Sequence, residues 1–195
     1  LVGKKIIEKY PHLKEVHGFQ ANDFGAIVAA ASLAHDIGNP PFGHSGEKAI
    51  GEYFSRGNGQ QYKNQLSPKQ WQDLIDFEGN ANGFSVLTSS RPGIEGSLRL
   101  SFATLGAFTK YPKESLPKKP TKNIADKKYG FFQSDAAFFK EVAEELGMIS
   151  NKSGDDIGYE RHPLAFLVEA ADDICYTIID FEDGIKLGLI NEDFA

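Results

Sequence analysis

The chain has 195 residues, of which 41% are hydrophobic and 25% charged, a composition typical of a globular domain and not of a disordered segment. A formal net charge of −6 at pH 7 argues against general affinity for polyanions, so any phosphate binding has to be local. The single cysteine excludes a disulfide framework and suits a reducing compartment, and the longest uncharged apolar run, 24–34, is too short to span a membrane. We therefore expect a cytoplasmic globular protein.

Hydrophobic periodicity predicts a chain that is mostly helical, with weak strand signals throughout. Asp23 is expected to cap a long helix that ends at Gly38, before two prolines. Further helices are predicted over residues 44–56, 68–75, 80–89, 98–109, 135–146 and 163–187. The stretches 57–67 and 111–129 are predicted to be loops, the second exposed, and a short hairpin is expected, if anywhere, within 94–102. The predicted fold is all-α.

The stretch 33–47, LAHDIGNPPFGHSGE, carries the strongest chemical signal because it places a histidine beside an aspartate. Imidazole and carboxylate together suit a divalent metal such as manganese, iron, cobalt or zinc. On a helix, His35 and Asp36 point about 100° apart, so they share an ion only if it lies at the edge between them. A lone His-Asp pair more often caps a helix or pairs locally, so a metal site requires support from the rest of the chain.

His44 and Glu47 lie three residues apart at the predicted start of a helix, where they are neighbours on one face. A helix N-terminus presents free N–H groups to a phosphate, and a histidine oriented by a carboxylate transfers protons in many hydrolases. A capping interaction is the alternative. The phrase GHSGEK is not a Walker motif, because Glu47 separates Gly46 from Lys48.

The last predicted helix is acidic, with six carboxylates and no Lys or Arg between Arg161 and Lys186. Asp172, Tyr176 and Asp180 lie at i, i+4 and i+8 and form one polar stripe on a helix that is otherwise apolar. A buried acidic stripe requires protons, a metal or an external hydrogen-bonding partner. A solvated face is an equally good explanation of this pattern.

These phrases together resemble the HD-superfamily deoxynucleoside triphosphate triphosphohydrolases, the dGTPase-like family. The resemblance is carried by HDIGNPPFGHSGE at 35–47 and continues nearly to the end of the chain. The other matching phrases are FEGNA at 77–81, TLGAFTKYP at 104–112, KYGFFQS at 128–134, and RHPL at 161–164 with the acidic pair at 182–183. The resemblance implies one HD-type helical domain over 1–195, expected to be a fragment of a longer chain with segments missing at both ends.

The resemblance also implies a role for individual residues. His35, Asp36 and Asp172 match metal ligands of the family, and His44 and Glu47 match its catalytic histidine and acidic partner. The implied substrate-binding residues are Tyr176 and Asp180 at the deoxyribose, Asn80 in a pocket-lining segment, and Lys110 and Tyr111 near the mouth of the site. Lys128 lies in a family phrase near the same mouth. The family's first metal ligand, an upstream histidine, has no match here, because His12 and His17 lack its flanking phrase.

The implied reaction is hydrolysis of dGTP or another dNTP to deoxynucleoside and inorganic triphosphate. The implied cofactor is a divalent cation, which is manganese, magnesium, iron, cobalt or zinc. The implied partners are the dNTP substrate, an allosteric dNTP or single-stranded DNA, and further copies of the chain in a homo-oligomer such as a hexamer.

Two other interpretations stay open. In the first, the chain is an HD phosphohydrolase that acts on another nucleotide. In the second, it is a nucleotide-sensing or single-stranded-DNA-binding module. Seven lysines between Lys110 and Lys128, flanked by Tyr111 and Tyr129, bear on the second. A solvated loop is the favoured explanation of this lysine-rich segment, and a nucleic-acid contact with steep salt dependence is the alternative.

Overall fold

The computed structural model of the chain describes residues 1–90, 93, 98–118 and 126–191. Their helices are α1 (Val2–Lys9), α2 (His12–Glu15), α3 (Ala21–Ala34), α4 (His44–Arg56), α5 (Pro68–Ile75), α6 (Gly79–Thr88), α7 (Phe102–Phe108), α8 (Ala136–Glu145) and α9 (Ala165–Lys186). Within these ranges there is no strand, only isolated bridges between Lys113 and Gly158 and between Ser150 and Tyr159. The all-α prediction is confirmed.

The core forms where α3, α7, α8 and α9 meet, and aromatic side chains fill it. Phe84, Phe131 and Phe139 are fully buried, and the rings of Phe131 and Phe139 stack with their centroids 4.3 Å apart. Burying one such side chain stabilises a fold by roughly 1.5–3 kcal/mol. α3 packs against both α7 and α9, which brings the early and late parts of the chain together.

The end of α3 differs from the prediction in a way that matters for the site. Asp23 is not the cap: Gln20 precedes the helix, and its backbone N–H donates to Asp23 Oδ2 at 2.7 Å. The helix ends at Ala34 and not at Gly38, so His35 and Asp36 lie in the turn that follows. Because a turn frees the two side chains from helical spacing, they can point to the same place.

The other helix boundaries agree with the sequence prediction, with a few local exceptions. The helices predicted at 44–56 and 68–75 are confirmed to the residue. The 98–109 helix begins only at Phe102, because Ser101 caps it and accepts the N–H of Thr104 at 3.2 Å. The predicted 57–67 loop is wrong over Asn58–Gln65, which form a 3-10 helix. Of the predicted hairpin, residues 94–97 lie outside the described residues, and 98–101 form no strand.

α6 lies directly on the turn after α3. A Cβ on Gly38 would overlap the backbone of Gly79 and Gly83, so the two segments approach more closely than any larger residue allows. Asn82 Nδ2 donates to the Gly38 carbonyl at 2.8 Å and fixes this contact. The contact places the first turn of α6 beside His35, Asp36 and the start of α4.

The prediction of a loop over 111–129 is confirmed for its described residues, 111–118 and 126–129, but the prediction that this loop is exposed is wrong for most of them. Glu114 is fully buried, and its carboxylate accepts Lys69 Nζ at 2.7 Å, Gln133 Nε2 at 2.8 Å and the Ile157 N–H at 2.8 Å. Tyr129 is also buried and its hydroxyl donates to backbone carbonyls of α5 and the residue that follows it. Partners distant in sequence satisfy these polar groups, which allows the segment to be buried.

Most of the second half of α9 is exposed: residues 173–183 are all exposed, and Gly184 near the end of the helix is buried. Ile174, Ile178 and Phe181 are about half exposed, although their spacing indicates a buried face. The interpretation of Asp172, Tyr176 and Asp180 as one buried stripe is therefore wrong within the described residues, because only the first half of the helix packs on the core. None of the helices in the described part of the chain combines the length and hydropathy that a membrane-spanning segment requires.

Candidate active site

A cavity of about 410 Å³ opens where the turn after α3, the starts of α4 and α6, the end of α7 and the first half of α9 meet. Binding sites for small molecules commonly have volumes of about 300–1,000 Å³. Eight of the ten residues predicted for the site line the cavity: His35, Asp36, His44, Asn80, Lys110, Tyr111, Asp172 and Tyr176. Glu47 and Asp180 do not line it.

His35, Asp36 and Asp172 form one side of the cavity, here called the acidic wall. His35 Nε2 lies 3.3 Å from Asp36 Oδ2 and 3.4 Å from Asp172 Oδ1. Two donor atoms held by one ion at about 2.1 Å are separated by about 3.0–3.4 Å. His35 Nε2 therefore has ligand-to-ligand spacing from one carboxylate of the turn and from one carboxylate of the distant helix α9.

Neighbouring groups hold two of these side chains in place. Ser32 contributes its carbonyl, 2.7 Å from His35 Nδ1, which favours the tautomer with the proton on Nδ1. Nε2 then presents a lone pair to two carboxylate oxygens, an arrangement that requires a second imidazole proton or a cation. Asn39 Nδ2 donates to Asp36 Oδ1 at 2.8 Å and leaves Oδ2 facing His35.

The donor chemistry of the acidic wall fits a divalent metal, but the ligand shell is open. Among the described residues, no group of three or more His, Cys, Asp or Glu side chains is arranged so that it could by itself hold a metal ion. Both short distances in this group of three residues involve the same atom, His35 Nε2. The group supplies three donor atoms, whereas a structural or catalytic metal binds four or more ligands. Water, substrate or a further side chain has to complete the shell.

His44 is the first residue of α4, and its side chain is 78% exposed at the cavity. The turn before it contains two successive residues with positive φ, Phe42 at 66° and Gly43 at 53°. His44 Nδ1 lies 3.6 Å from Glu47 Oε2, which is too long for a hydrogen bond. The other carboxylate oxygen of Glu47 accepts the Gly79 N–H at 2.8 Å. Glu47 is thus held by α6 beside His44, and the catalytic pairing stays a prediction.

Lys110 and Lys128 line the cavity elsewhere. These two lysines and the carboxylates that pair with them, Glu169 and Glu78, are here called the cation wall. Lys110 Nζ lies 2.9 Å from Glu169 Oε1, and Lys128 Nζ lies 2.9 Å from Glu78 Oε1. Glu78 also accepts Asn80 Nδ2 at 2.7 Å. Each lysine is thereby held in one direction before any ligand binds.

Charge pairing controls the ionisation of the Lys110–Glu169 pair. Burial alone raises the pKa of Glu169, but hydrogen bonds and charges from Lys110 and Arg161 outweigh it and hold the pKa below its ordinary value. Burial alone lowers the pKa of Lys110, and the contact with Glu169 reverses this and raises it. Both groups are therefore charged at neutral pH.

Tyr176 and Asp180 have different positions on α9. Tyr176, one turn beyond Asp172, lines the cavity and is 56% exposed. Asp180, one further turn along, is exposed and lies outside the cavity wall. The sugar-binding roles that the resemblance implies for both residues stay predictions.

Asn39, Lys127 and Glu169 are among the cavity-lining residues that were not predicted for the site. Glu169 had a usable signal, because it lies three residues before Asp172 and so shares its helix face. Asn39 had a weaker signal, namely its position three residues after Asp36, from which it can contact that side chain. Nothing in the sequence distinguishes Lys127 from the other lysines of its segment.

No protein-family model matches the chain. Among curated proteins, the chain is 44% identical over 199 residues to a deoxyguanosinetriphosphate triphosphohydrolase-like protein of Synechocystis, a match that covers 97% of this chain. It is also 44% identical over 170 residues, 87% of its length, to a protein of the same name from Pseudomonas aeruginosa. A Yersinia pestis protein named deoxyguanosinetriphosphate triphosphohydrolase is 31% identical over 222 residues, again across 97% of this chain.

The chain spans less than half the length of these relatives: 44% of the Synechocystis protein, 38% of the Pseudomonas protein and 41% of the Yersinia protein. The similarity therefore concerns one part of each relative.

Proposed function

We propose that this chain, which belongs to the family of deoxyguanosinetriphosphate triphosphohydrolase-like proteins, carries the active site of a metal-dependent dNTP triphosphohydrolase. The products are the deoxynucleoside and inorganic triphosphate. The observation that carries the proposal is a single cavity in which an open set of metal-ligand donors and two oriented lysines occur together. A polyphosphate ester with a bound divalent cation requires this combination of groups.

In this proposal His35, Asp36 and Asp172 hold the divalent cation. When bound, such a cation polarises a phosphate oxygen and lowers the pKa of a coordinated water. Manganese, magnesium, iron, cobalt and zinc all suit this mixed nitrogen and oxygen donor set. The Ser32 carbonyl and the Asn39 amide each hold one of the side chains that would bind the cation, those of His35 and Asp36.

His44 moves the proton in the proposed reaction. The oxygen of water forms a bond to the α-phosphorus, the bond from that phosphorus to O5′ breaks, and a proton ends on O5′. The exposed imidazole of His44 at the cavity takes the proton from the water or delivers it to O5′. Glu47, held by the Gly79 N–H, lies close enough to orient the imidazole after a small movement.

The cation wall receives the polyphosphate. Lys110 and Lys128 provide fixed positive charge beside the triphosphate group, which gains negative charge as water attacks its α-phosphorus and the deoxynucleoside leaves. The family resemblance implies that the deoxyribose contacts Tyr176, which lines the cavity, and that its 3′-hydroxyl contacts Asp180, one turn beyond Tyr176 and outside the cavity wall. Asn80, fixed by Glu78, lines the same cavity.

Product analysis tests the proposal. The complete protein is incubated with dGTP and Mn²⁺, and the products are separated by anion-exchange chromatography. Equal amounts of deoxyguanosine and inorganic triphosphate are expected, with no product after the metal is chelated. Release of pyrophosphate or orthophosphate contradicts the proposal, and equal turnover of GTP identifies an HD phosphohydrolase with another nucleotide substrate.

The cellular setting and the assembly belong to the same proposal. An exposed free cysteine, Cys175, suits the reducing cytoplasm, which also contains the dNTP substrates. A homo-oligomer such as a hexamer, and activation by an allosteric dNTP or single-stranded DNA, are further expectations from the family resemblance.

A further inference from the structure

Glu169 is an unexpected residue in a cavity proposed to bind a polyanion. Its carboxylate lines the cavity, on the face of α9 that also carries Asp172. Both of its oxygens are occupied: Oε1 lies 2.9 Å from Lys110 Nζ, and Oε2 accepts Arg161 Nη1 at 2.7 Å. An acidic group that only repelled phosphate would be a disadvantage here, so its two partners suggest a different role.

Arg161 connects this carboxylate to the backbone around Lys110. Its side chain is almost completely buried, and Nε donates to the Lys110 carbonyl at 2.7 Å. The guanidinium also lies over the ring of Tyr111, 5.6 Å from its centroid, and at 5.5 Å from that of Phe166. One arginine thus contacts the backbone of Lys110, the ring of Tyr111 and the carboxylate that holds the lysine ammonium.

We propose that Glu169 and Arg161 are positioning residues that hold Lys110 and Tyr111 in place to receive the polyphosphate. Arg161 fixes the backbone and the aromatic ring, and Glu169 fixes the ammonium group. A free lysine loses rotamer entropy when it binds a ligand, whereas a lysine that is already held loses less. The identity of the ligand rests on the proposed function, but the positioning contacts do not.

The direction in which triphosphate affinity changes when Glu169 loses its charge distinguishes a positioning role from mere proximity. Replacing Glu169 by Gln makes the cavity more positive by one charge. If Glu169 is a bystander, inorganic triphosphate binds more tightly after this change. If Glu169 positions Lys110, triphosphate binds less tightly despite the added positive charge.

The experiment measures binding of inorganic triphosphate to the complete protein by calorimetry, without turnover. For Glu169→Gln we expect affinity about tenfold lower than that of the wild type, with Mn²⁺ binding and thermal unfolding unchanged. Asp173→Asn is the matched control, because it makes the same charge change on an exposed residue of the same helix, and its effect stays within about twofold. Equal or tighter binding of triphosphate by Glu169→Gln overturns the proposal, as does a wild-type protein that binds no triphosphate.

A double-mutant cycle then tests whether Glu169 acts through Lys110. In the Lys110→Ala background, Glu169→Gln is expected to change triphosphate affinity by less than about twofold, because its target is gone. A full tenfold loss in that background overturns the proposal. If the complete protein hydrolyses no dNTP while the cycle gives the expected coupling, the proposed function fails and the positioning role stands.

Discussion

The two walls of the cavity are opposites in how their charges are balanced. On the cation wall, Lys110 and Lys128 are each paired with a carboxylate at 2.9 Å. On the acidic wall, His35 faces the oxygens of Asp36 and Asp172, and within the described residues no Lys or Arg forms an ion pair with these three.

This difference shows that the protein itself compensates the charges of the cation wall, whereas the acidic wall requires a positive charge from a bound cation or a proton. The cation wall is ordered and neutralised by its own residues, so a ligand meets it in a fixed arrangement. On the acidic wall, two carboxylates face the lone pair of His35 Nε2, so their negative charge is compensated only by a bound cation or by a proton. The cavity is therefore expected to depend on metal through one wall and on polyphosphate through the other.

Removing a ligand of the acidic wall is expected to have the broadest effect, because metal binding and turnover are lost together. In Asp172→Ala the carboxylate that joins α9 to the turn after α3 is lost, and we expect loss of Mn²⁺ binding and a fall in turnover of at least about 100-fold. Asp173→Ala removes the adjacent, exposed carboxylate and is expected to retain both. Calorimetry with Mn²⁺ and a dGTP assay measure the two quantities. Equal Mn²⁺ affinity in the two variants would disprove the assignment of the acidic wall.

His44→Ala is expected to separate metal binding from proton transfer. Turnover falls by about 10²–10⁴-fold, the usual contribution of a general acid or base. Mn²⁺ affinity stays near that of the wild type, because His44 is not among the three converging donors. His17→Ala, at an exposed histidine that does not line the cavity, is the control. Near-full activity of His44→Ala contradicts the proposed catalytic role.

The glycine contact that joins the walls is expected to have an intermediate effect, on stability. In Gly38→Ala the new Cβ meets the backbone of Gly79 and Gly83, and we expect the free energy of unfolding to fall by about 1–3 kcal/mol. Gly25→Ala, within α3 and with open space around its Cβ position, is expected to raise it by about 0.5–1 kcal/mol. Chemical denaturation measures both, and destabilisation of similar size in the two variants would contradict the close contact.

The smallest expected effect compares two lysines of one segment. Lys110→Ala is expected to weaken inorganic triphosphate binding by about tenfold, because it removes an oriented cation from the cavity. Lys118→Ala removes an exposed lysine that pairs with Asp76 outside the cavity, and its effect is expected to stay within about twofold at physiological salt. If the two variants lose equal affinity, the segment acts through its total charge, as the nucleic-acid interpretation requires.

The sequence pattern predicted helix boundaries correctly where interactions between residues close in the chain determine them. α4 and α5 begin and end as predicted because their caps and prolines act within a few residues, as at Ser67, whose hydroxyl accepts the Gln70 N–H at 3.3 Å. The prediction was less accurate at the end of α3, where His35 Nδ1 lies 2.7 Å from the Ser32 carbonyl as the helix gives way to the turn. Periodicity carries no information about such a side-chain contact.

The lysine-rich segment shows the opposite case. Its composition predicts solvent exposure, because lysines are rarely buried without partners. Glu114 nevertheless lies in the interior with partners 19 to 45 residues away in sequence. Pairing at that distance depends on the fold, so no reading of the segment alone predicts its burial.

The sequence by itself determined the helical class and the His35-Asp36 pair, and its resemblance to a known family picked out eight of the residues that line the cavity. The helical class and the pair depend on residue type and on short spacing, and the eight residues lie in phrases that match the family. Only the tertiary structure decided that Asp172 reaches His35, that Glu169 lies between Lys110 and Arg161, and that Asp180 lies outside the cavity wall. The reason is physical: each of these outcomes depends on how two segments distant in the chain pack together.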